Sequence, residues 1–492
     1  MKVTVMGLGV HGGGLASALF FARRGARVTV TDLRSAVTLK ESIDSLQGYA
    51  VRYVLERHEE ADFSGADLVI KNPAVSPTSP YLAAARGKGV PVETDLSVFL
   101  SLARSPILAV TGSKGKSTTA SAIAHGLSRV FPGARLGGNI TVSPLSFIDE
   151  LVPETPVVLE LSSWQLGDLR GRNLLRPAVS VMTVILPDHL DKYAGMTEYI
   201  EDKKAIFQEQ EPGQKAVFNL DDAWQRDFPG ETRATAFFVS ASPLPTGRRG
   251  AWLEGDRGMA RLVDSGPARE IMGGILLPGA HNRMNLLAAG LSLHLYGIKA
   301  EVIRAALASF PGMEHRLEMF HTWKGISFYN DSAATIPHAT AEAVRSLAGP
   351  VVLIAGGTDK NIDFSPLTDV ARAPRSILLL AGTGTEKIRG LLGALGVSYE
   401  GPFTDLAEAV RTAIARAAAE AAQLRGVPRK GGVSVLFSPG CTSFGMWCAR
   451  SLRLEAALQG FLHEQGAGNR IEDVRRNFPE AERTVKGHRA LH

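Results

Sequence analysis

The chain reads as an α/β protein built on parallel sheets, and three observations predict this. Short β-branched runs without apolar–polar alternation recur at 3–6, 28–31, 68–71, 107–111, 157–161, 179–185, 216–219, 351–355, 377–381 and 433–437. Alanine-rich stretches of helical character lie between many of them, at 14–24, 117–129 and 406–422. Glycine is abundant, at 51 of 492 residues, and it supplies tight turns between strand and helix. Apolar runs of this kind mark strands buried on both faces, with ligands beyond their carboxyl ends.

Three domains are expected, at 1–104, 105–311 and 312–492. The first boundary precedes the strand that follows Ser105-Pro106, and the second falls near Phe310-Pro311-Gly312. The proline- and glycine-rich segment 230–278 holds hairpin-like pieces at 236–240 and 251–263. It is expected to form a small antiparallel elaboration within the middle domain. The tail from Glu464 is charged and lacks an apolar stripe, which fits a solvated helix or partial disorder.

Composition narrows the function. The 54 basic and 49 acidic residues give a net charge of +5, too mild and scattered for a nucleic-acid backbone binder but adequate for anionic small molecules. Aromatic residues make up only 7%, which argues against base-stacking surfaces. Cys441 and Cys448 are the two cysteines, too few for a disulfide framework or a zinc site, and a reducing cytoplasm is expected. The apolar stretch to Ala22 contains His11 and five glycines, so it reads as strand, turn and helix rather than a secretory leader. No run approaches the ~18–20 apolar residues of a membrane span. A soluble chain without a membrane partner is expected.

Two glycine loops carry the chemistry. Gly7-Leu8-Gly9-Val10-His11-Gly12 follows the first strand, and Asp32 ends the second strand 20 residues past Gly12. The pattern is that of a dinucleotide site, although amides at a helix N-terminus attract any phosphate. A nicotinamide cofactor is one reading of it. The second loop, Gly112-Ser113-Lys114-Gly115-Lys116-Ser117-Thr118, follows the run 107–111 and opens a helix. It is a phosphate loop in which amides cradle the phosphates, Lys116 adds a charge and Ser117 reaches Mg²⁺. A dehydrogenase needs the first loop only, and a motor or GTPase the second only. An ATP-driven enzyme acting on a nucleotide-linked substrate needs both.

Polar residues gather at other strand ends. Glu160 ends 157–160, and Asp188-His189-Leu190-Asp191 follows 179–185. The segment from Tyr199 to Phe207 reads as a helix, in which Lys203 and Lys204, taken alone, are an exposed basic pair. His281-Asn282-Arg283-Met284-Asn285 starts a helix that reads as amphipathic. Asn330-Asp331-Ser332, Gly356-Gly357-Thr358-Asp359-Lys360 and the segment Ser438 to Phe444 end strands of the last domain.

This ordered set, together with Glu314-His315-Arg316, resembles the ATP-dependent Mur ligases of peptidoglycan precursor synthesis, from the first strand to about residue 450. The likeness is strongest to the branch that joins D-glutamate to UDP-N-acetylmuramoyl-L-alanine. It implies an N-terminal Rossmann-like domain, a central phosphate-loop ATPase and a C-terminal Rossmann-like domain that closes over the nucleotide. Gly9, Val10, His11, Asp32, Arg34, Asn72 and Asn139 then fall to the UDP-substrate, and a nicotinamide is no longer expected. Gly112, Ser113, Lys114, Gly115, Lys116, Ser117, Thr118, Asn285, Arg316 and Asp331 fall to ATP. Ser117, Glu160, His189 and Lys203 match the shell of two Mg²⁺ ions, with Lys203 as a CO₂-derived carbamate. Lys116, Glu160, His189 and Lys203 take the catalytic roles, while Thr335, Lys360, Ser443 and Phe444 surround the amino acid. A cytoplasmic monomer with small-molecule partners and no nucleic acid is implied.

Two departures bear on the acceptor. The family reads Asn-Asp-Ser-Lys-Ala-Thr-Asn where this chain has Asn330-Asp331-Ser332-Ala333-Ala334-Thr335-Ile336. After Phe444 the family's acid and Phe-rich helix is replaced by Gly445-Met446-Trp447-Cys448-Ala449-Arg450. Ligase chemistry is therefore firmer than the choice of D-glutamate over, for example, L-glutamate.

Overall fold

The computed structural model describes residues 1–9, 13–140, 142–187, 193–264, 266–359, 362–424, 432–441 and 456–461. The tail from Glu464 and the altered segment 445–450 lie outside them. Two compact units are present, one of residues 1–275 and 281–310, the other of 276–280 and 311–492.

The first unit carries two sheets. One has five parallel strands in the order Val51–Leu55, Arg27–Asp32, Lys2–Met6, Leu68–Lys71, Val92–Glu93. Strand order reverses between Lys2–Met6 and Leu68–Lys71, and such a switch point opens a crevice at the carboxyl ends. Helix Gly13–Arg23 buries Ala18, Phe20 and Phe21 in the core shared with Val3, Val5, Val28 and Val30.

The other sheet has nine strands, ordered Arg269–Met272, Arg257–Arg261, Gly250–Glu254, Thr235–Ser240, Lys215–Asn219, Val179–Met182, Ile107–Thr111, Val157–Glu160, Arg135–Gly138. Pairing is parallel from Arg135–Gly138 through Gly250–Glu254 and antiparallel for the remaining two pairs. The antiparallel elaboration is thus an extension of the main sheet. The piece at 236–240 differs from expectation, because Thr235–Ser240 pairs parallel with Lys215–Asn219. Phe237, Phe238 and Val239 are buried in succession, as in a strand covered on both faces, whereas Arg257–Arg261 alternates.

Helix Ala280–Leu295 also departs from its reading. Residues 286 through 293 are all buried, so it is a core helix and not an amphipathic one. Gly126 allows this packing: a Cβ there would lie 2.3 Å from Leu293 Cδ1.

The second unit holds one six-stranded sheet, ordered Glu318–Trp323, Ile326–Asn330, Val433–Phe437, Val351–Ala355, Ser376–Leu380, Glu400–Phe403. All pairs are parallel except the edge hairpin of Glu318–Trp323 with Ile326–Asn330. Insertion of Val433–Phe437 between Ile326–Asn330 and Val351–Ala355 brings three polar strand ends to one edge. Apolar clusters cover both faces, as the non-alternating runs require. No helix among the described residues is long and apolar enough to cross a membrane.

Candidate active site

The phosphate loop is shaped by two glycines. Gly112 (φ +144°) and Gly115 (φ +88°) hold backbone conformations that L side chains rarely adopt. A Cβ on Gly112 would lie 1.9 Å from Thr183 Oγ1, and one on Gly115 2.2 Å from Asn285 Oδ1. Gly115 caps helix Lys116–Ser128, whose amino end favours an anion. Lys116 folds back over the loop and donates from Nζ to the carbonyls of Gly112 and Ser113, both at 3.0 Å. Ser117 and Thr118 are half-buried in the first helical turn, while Lys114 is exposed. Asn285 borders the loop, and its carbonyl accepts from Thr119 Oγ1 at 3.4 Å.

Lys203 joins this loop from helix Met196–Gln208. It is 1% exposed, and its Nζ donates to Gly112 O at 2.8 Å while lying 4.5 Å from the Tyr199 ring centre. The exposed-pair reading fails for Lys203. Successive helical residues point about 100° apart, so Lys203 turns inward while Lys204 bridges Glu201 and Glu231 at 2.8 Å each.

Glu160 ends the strand beside the loop strand, in register with Val110 on one side and Gly138 on the other. It is 2% exposed, and its Oε1 accepts from Asn139 Nδ2 at 3.1 Å. Its Oε2 is buried with no hydrogen-bond partner. An unsatisfied buried carboxylate oxygen is costly unless a cation meets it, so the residue fits the Mg²⁺ role. Among the described residues, no group of three or more His, Cys, Asp and Glu is placed to hold a metal. His189 lies outside the described residues, as do Val10, His11, Lys360, Ser443 and Phe444.

Ser113 is tied into the protein on the far side of the loop. Its amide donates to Val184 O at 2.7 Å, and its hydroxyl donates to Leu186 O and accepts from Leu186 N, both at 2.9 Å. The same oxygen lies 2.8 Å from Tyr199 OH. Ser113 braces the loop from behind.

At the crevice of the five-stranded sheet, Asp32 is 6% exposed and accepts from Gly9 N at 3.2 Å and Arg34 N at 2.9 Å. Arg34 is exposed beside it. Asn72 faces Gly7 across the switch point, where a Cβ on Gly7 would lie 3.1 Å from Asn72 Cβ. Asn139 differs from the other UDP-substrate candidates: it is bonded to Glu160, through its amide at 2.8 Å as well as its side chain. Sequence reasoning missed Lys71, whose Nζ meets Asp168 Oδ2 at 2.7 Å with both side chains largely buried. An ordinary surface lysine and aspartate would look the same in the sequence.

In the second unit, Asp331 lies at the polar edge. Its Oδ1 accepts from Leu317 N at 3.0 Å and its Oδ2 from Ser438 Oγ at 2.7 Å. Burial pushes this carboxyl up to about 6, against the downward pull of Ser438, the Leu317 amide and the Arg316 charge. Arg316 is exposed, held between His315 (φ +65°) and Leu317 (φ +45°). Thr335 is half-buried, and its amide donates to Ala333 O at 3.0 Å. Ser438, named only as the start of a motif, is the partner that orients Asp331.

A phosphate loop joined by a buried lysine and an open carboxylate, in one unit with a Rossmann-like glycine loop, defines a nucleotide-using enzyme. The family descriptions "Mur ligase MurD-like, N-terminal domain" and "Mur ligase middle domain" match residues 1–94 and 110–293. A UDP-N-acetylmuramoylalanine–D-glutamate ligase of Treponema pallidum (strain Nichols) is 38% identical over 513 residues, covering 90% of this chain and 94% of the relative. The ligase of the same name from Roseiflexus sp. (strain RS-1) is 39% identical over 457 residues, covering 91% and 95%. Among solved structures, UDP-N-acetylmuramate-alanine ligase MurC of Thermotoga maritima shares the fold, with a TM-score of 0.57, 20% identity, and coverage of 94% of this chain and 99% of that one. The chain belongs to the Mur ligase family.

Proposed function

We propose that the protein is the ATP-dependent ligase that adds D-glutamate to UDP-N-acetylmuramoyl-L-alanine in peptidoglycan precursor synthesis. The observation that carries this reading is the convergence of Lys116 and Lys203 on the Gly112 carbonyl, with the unpartnered Glu160 oxygen on the strand adjoining the loop strand. Relatives at 38–39% identity bear that ligase name.

A carboxylate is a poor acyl donor, so the reaction begins by converting it into a better one. An oxygen of the L-alanyl carboxylate attacks the γ-phosphorus of ATP, the bond to the β,γ-bridging oxygen breaks, and ADP leaves. The glutamate amine then attacks the acyl carbon and loses a proton, and phosphate departs with the oxygen that came from the carboxylate. Loop amides and Lys116 hold the phosphate oxygens, and Asn285 borders the same loop. Mg²⁺, held by Ser117, Glu160, His189 and Lys203 as its carbamate, would offset the crowded negative charge. Asp32, Gly9, Val10, His11, Arg34, Asn72 and Asn139 bind the UDP-substrate. Arg316 and Asp331 serve the nucleotide, and Thr335, Lys360, Ser443 and Phe444 the amino acid. Domains bounded at 104/105 and 311/312, a monomeric state and a cytoplasmic setting belong to the same reading.

The test is ADP and phosphate release with D-Glu, L-Glu, D-Asp and neutral amino acids in competition. Release is expected only with both the UDP-muramoyl substrate and D-Glu. NAD(P)H turnover, or ATP hydrolysis indifferent to the muramoyl substrate, would sink the ligase reading. Preference for a neutral acceptor would show that Ala333 reports a changed specificity.

A further inference from the structure

The segment 183–186 forms the back wall of the phosphate loop. Thr183 donates from Oγ1 to Lys114 O at 2.7 Å and from its amide to Thr111 O at 2.9 Å. Val184 O accepts from Ser113 N, and Leu186 meets Ser113 Oγ through both its amide and its carbonyl. The loop therefore inherits its shape from a segment without regular secondary structure of its own beyond the bridge at Lys114–Val184.

Two buried side chains from elsewhere hold that segment. Asp222 is 7% exposed and Gln225 1% exposed, both following strand Lys215–Asn219. Asp222 Oδ2 accepts from Ile185 N at 2.7 Å and from Gln225 Nε2 at 2.9 Å, while its Oδ1 accepts from Trp224 N at 3.0 Å. Gln225 Nε2 also donates to Thr183 O at 2.6 Å, and its Oε1 accepts from Asn219 N at 2.9 Å. Every side-chain polar atom of the pair is engaged. Two of these bonds end on the backbone of the wall, at Thr183 and Ile185, the residues that flank Val184.

We infer that Asp222 and Gln225 are positioning residues for the phosphate loop: they fix the wall that fixes the amides and Lys116 around the nucleotide phosphates. They touch neither phosphate nor substrate and act through residues 183–186. Buried groups satisfied on all sides hold a single geometry, and a wall displaced by a fraction of an ångström moves the loop with it. The inference rests on the ATP-dependent reading above.

The test uses Asp222→Asn and Gln225→Leu in the full chain. Asparagine places an amide against at least one of the donors that the carboxylate now accepts from. Leucine keeps the volume near that of glutamine while removing the bonds to Thr183 and Asn219. Loss of such bonds is expected to weaken Mg-ATP about tenfold to a hundredfold, read as KM for ATP and as direct binding of Mg-ADP. The KM for the UDP-muramoyl substrate should stay within about twofold, a split that general loss of packing does not produce. Folded variants whose Mg-ADP affinity, KM for ATP and kcat all match the parent would overturn the inference, as would equal losses for both substrates. Should Asp222→Asn fail to fold, Gln225→Leu, which keeps the Asp222–Ile185 bond, carries the same measurement. A parent chain that does not bind Mg-ADP would instead refute the ATP-dependent reading.

Discussion

Lys203 donates a 2.8 Å hydrogen bond to the carbonyl of Gly112, so a lysine from a distant helix is part of the phosphate loop's own structure. Lys116 donates to the same oxygen at 3.0 Å. Two side-chain amines on one carbonyl, with a buried and unmet carboxylate oxygen of Glu160 on the adjoining strand, form an arrangement suited to polyphosphate and metal.

Lys203→Ala is expected to lower kcat by at least about a hundredfold, the scale for removing a charged group from a transition-state site. Lys204→Ala should leave kcat within about twofold, since its partners Glu201 and Glu231 belong neither to the phosphate loop nor to the residues expected to hold Mg²⁺. Native mass measurement of the parent in bicarbonate should show the added mass of one CO₂, absent from Lys203→Ala and kept in Lys204→Ala. Equal kinetic losses in both variants would remove the special role of Lys203.

The Lys71–Asp168 pair ties the Asn72 strand to helix Ser163–Leu169, which follows Glu160. Removing one partner strands a buried charge, so Lys71→Met should lower unfolding free energy by about 3–5 kcal/mol. Asp95 and Asp202 lie close enough to feel Asp168, which sharpens the effect. The double variant Lys71→Met/Asp168→Leu should recover most of that loss in urea titration. A single variant as stable as the parent would show that the pair carries no such weight.

How much of this was legible in sequence differs by element. The runs 68–71, 107–111, 351–355 and 433–437 became strands with the same bounds, because unbroken β-branched residues have few alternatives. Glu160 and the glycine loop were readable because strand ends and phosphate loops constrain residue type. Lys203 was not readable from its helix alone, since which of two adjacent lysines faces inward depends on how that helix docks. The bracing contacts of Ser113 were not readable for a related reason: its partners Leu186 and Tyr199 lie 73 and 86 residues away in the chain. The helix Ala280–Leu295 misled because its polar start suggested a wet face that core packing covers.

The second unit contains two buried groups with opposite pH demands. His321 is 7% exposed with Nδ1 unpartnered, and burial holds its pKa below the usual 6.5. Below pH 6.5 the unfolded chain takes up a proton that the folded ring resists, so its contribution to stability is present above 6.5 and falls as pH drops. Asp331, raised from 3.8 to about 6, acts the other way, and its contribution falls as pH rises from 3.8 through about 6. Thermal midpoints measured from pH 4 to 8 should therefore fall less steeply toward acid in His321→Phe, and more steeply in Asp331→Asn, than in the parent. Identical slopes in all three would contradict these assignments.

By the motif resemblance Ala333 replaces a lysine, and a lost charge-assisted contact is worth roughly 1.5–3 kcal/mol. We propose that another cation supplies the missing charge, and by motif position the candidates are Lys360, which matches the family, and Arg450, in the altered segment after Phe444. Arg450→Ala is expected to raise the KM for D-Glu about tenfold or more, with the KM for ATP unchanged. An unchanged KM for D-Glu would show that Arg450 does not replace the missing charge, and would leave the ligase reading intact.

In the proposed reaction the loop around Lys116 holds the ATP that activates the substrate carboxylate by phosphorylating it. This step is tested most directly by labelling that carboxylate of UDP-N-acetylmuramoyl-L-alanine with ¹⁸O and analysing the phosphate released in the presence of ATP and D-glutamate. The expected result is one ¹⁸O atom transferred from the carboxylate into each phosphate, in step with amide formation. Phosphate free of label, formed while the amide accumulates, would contradict it.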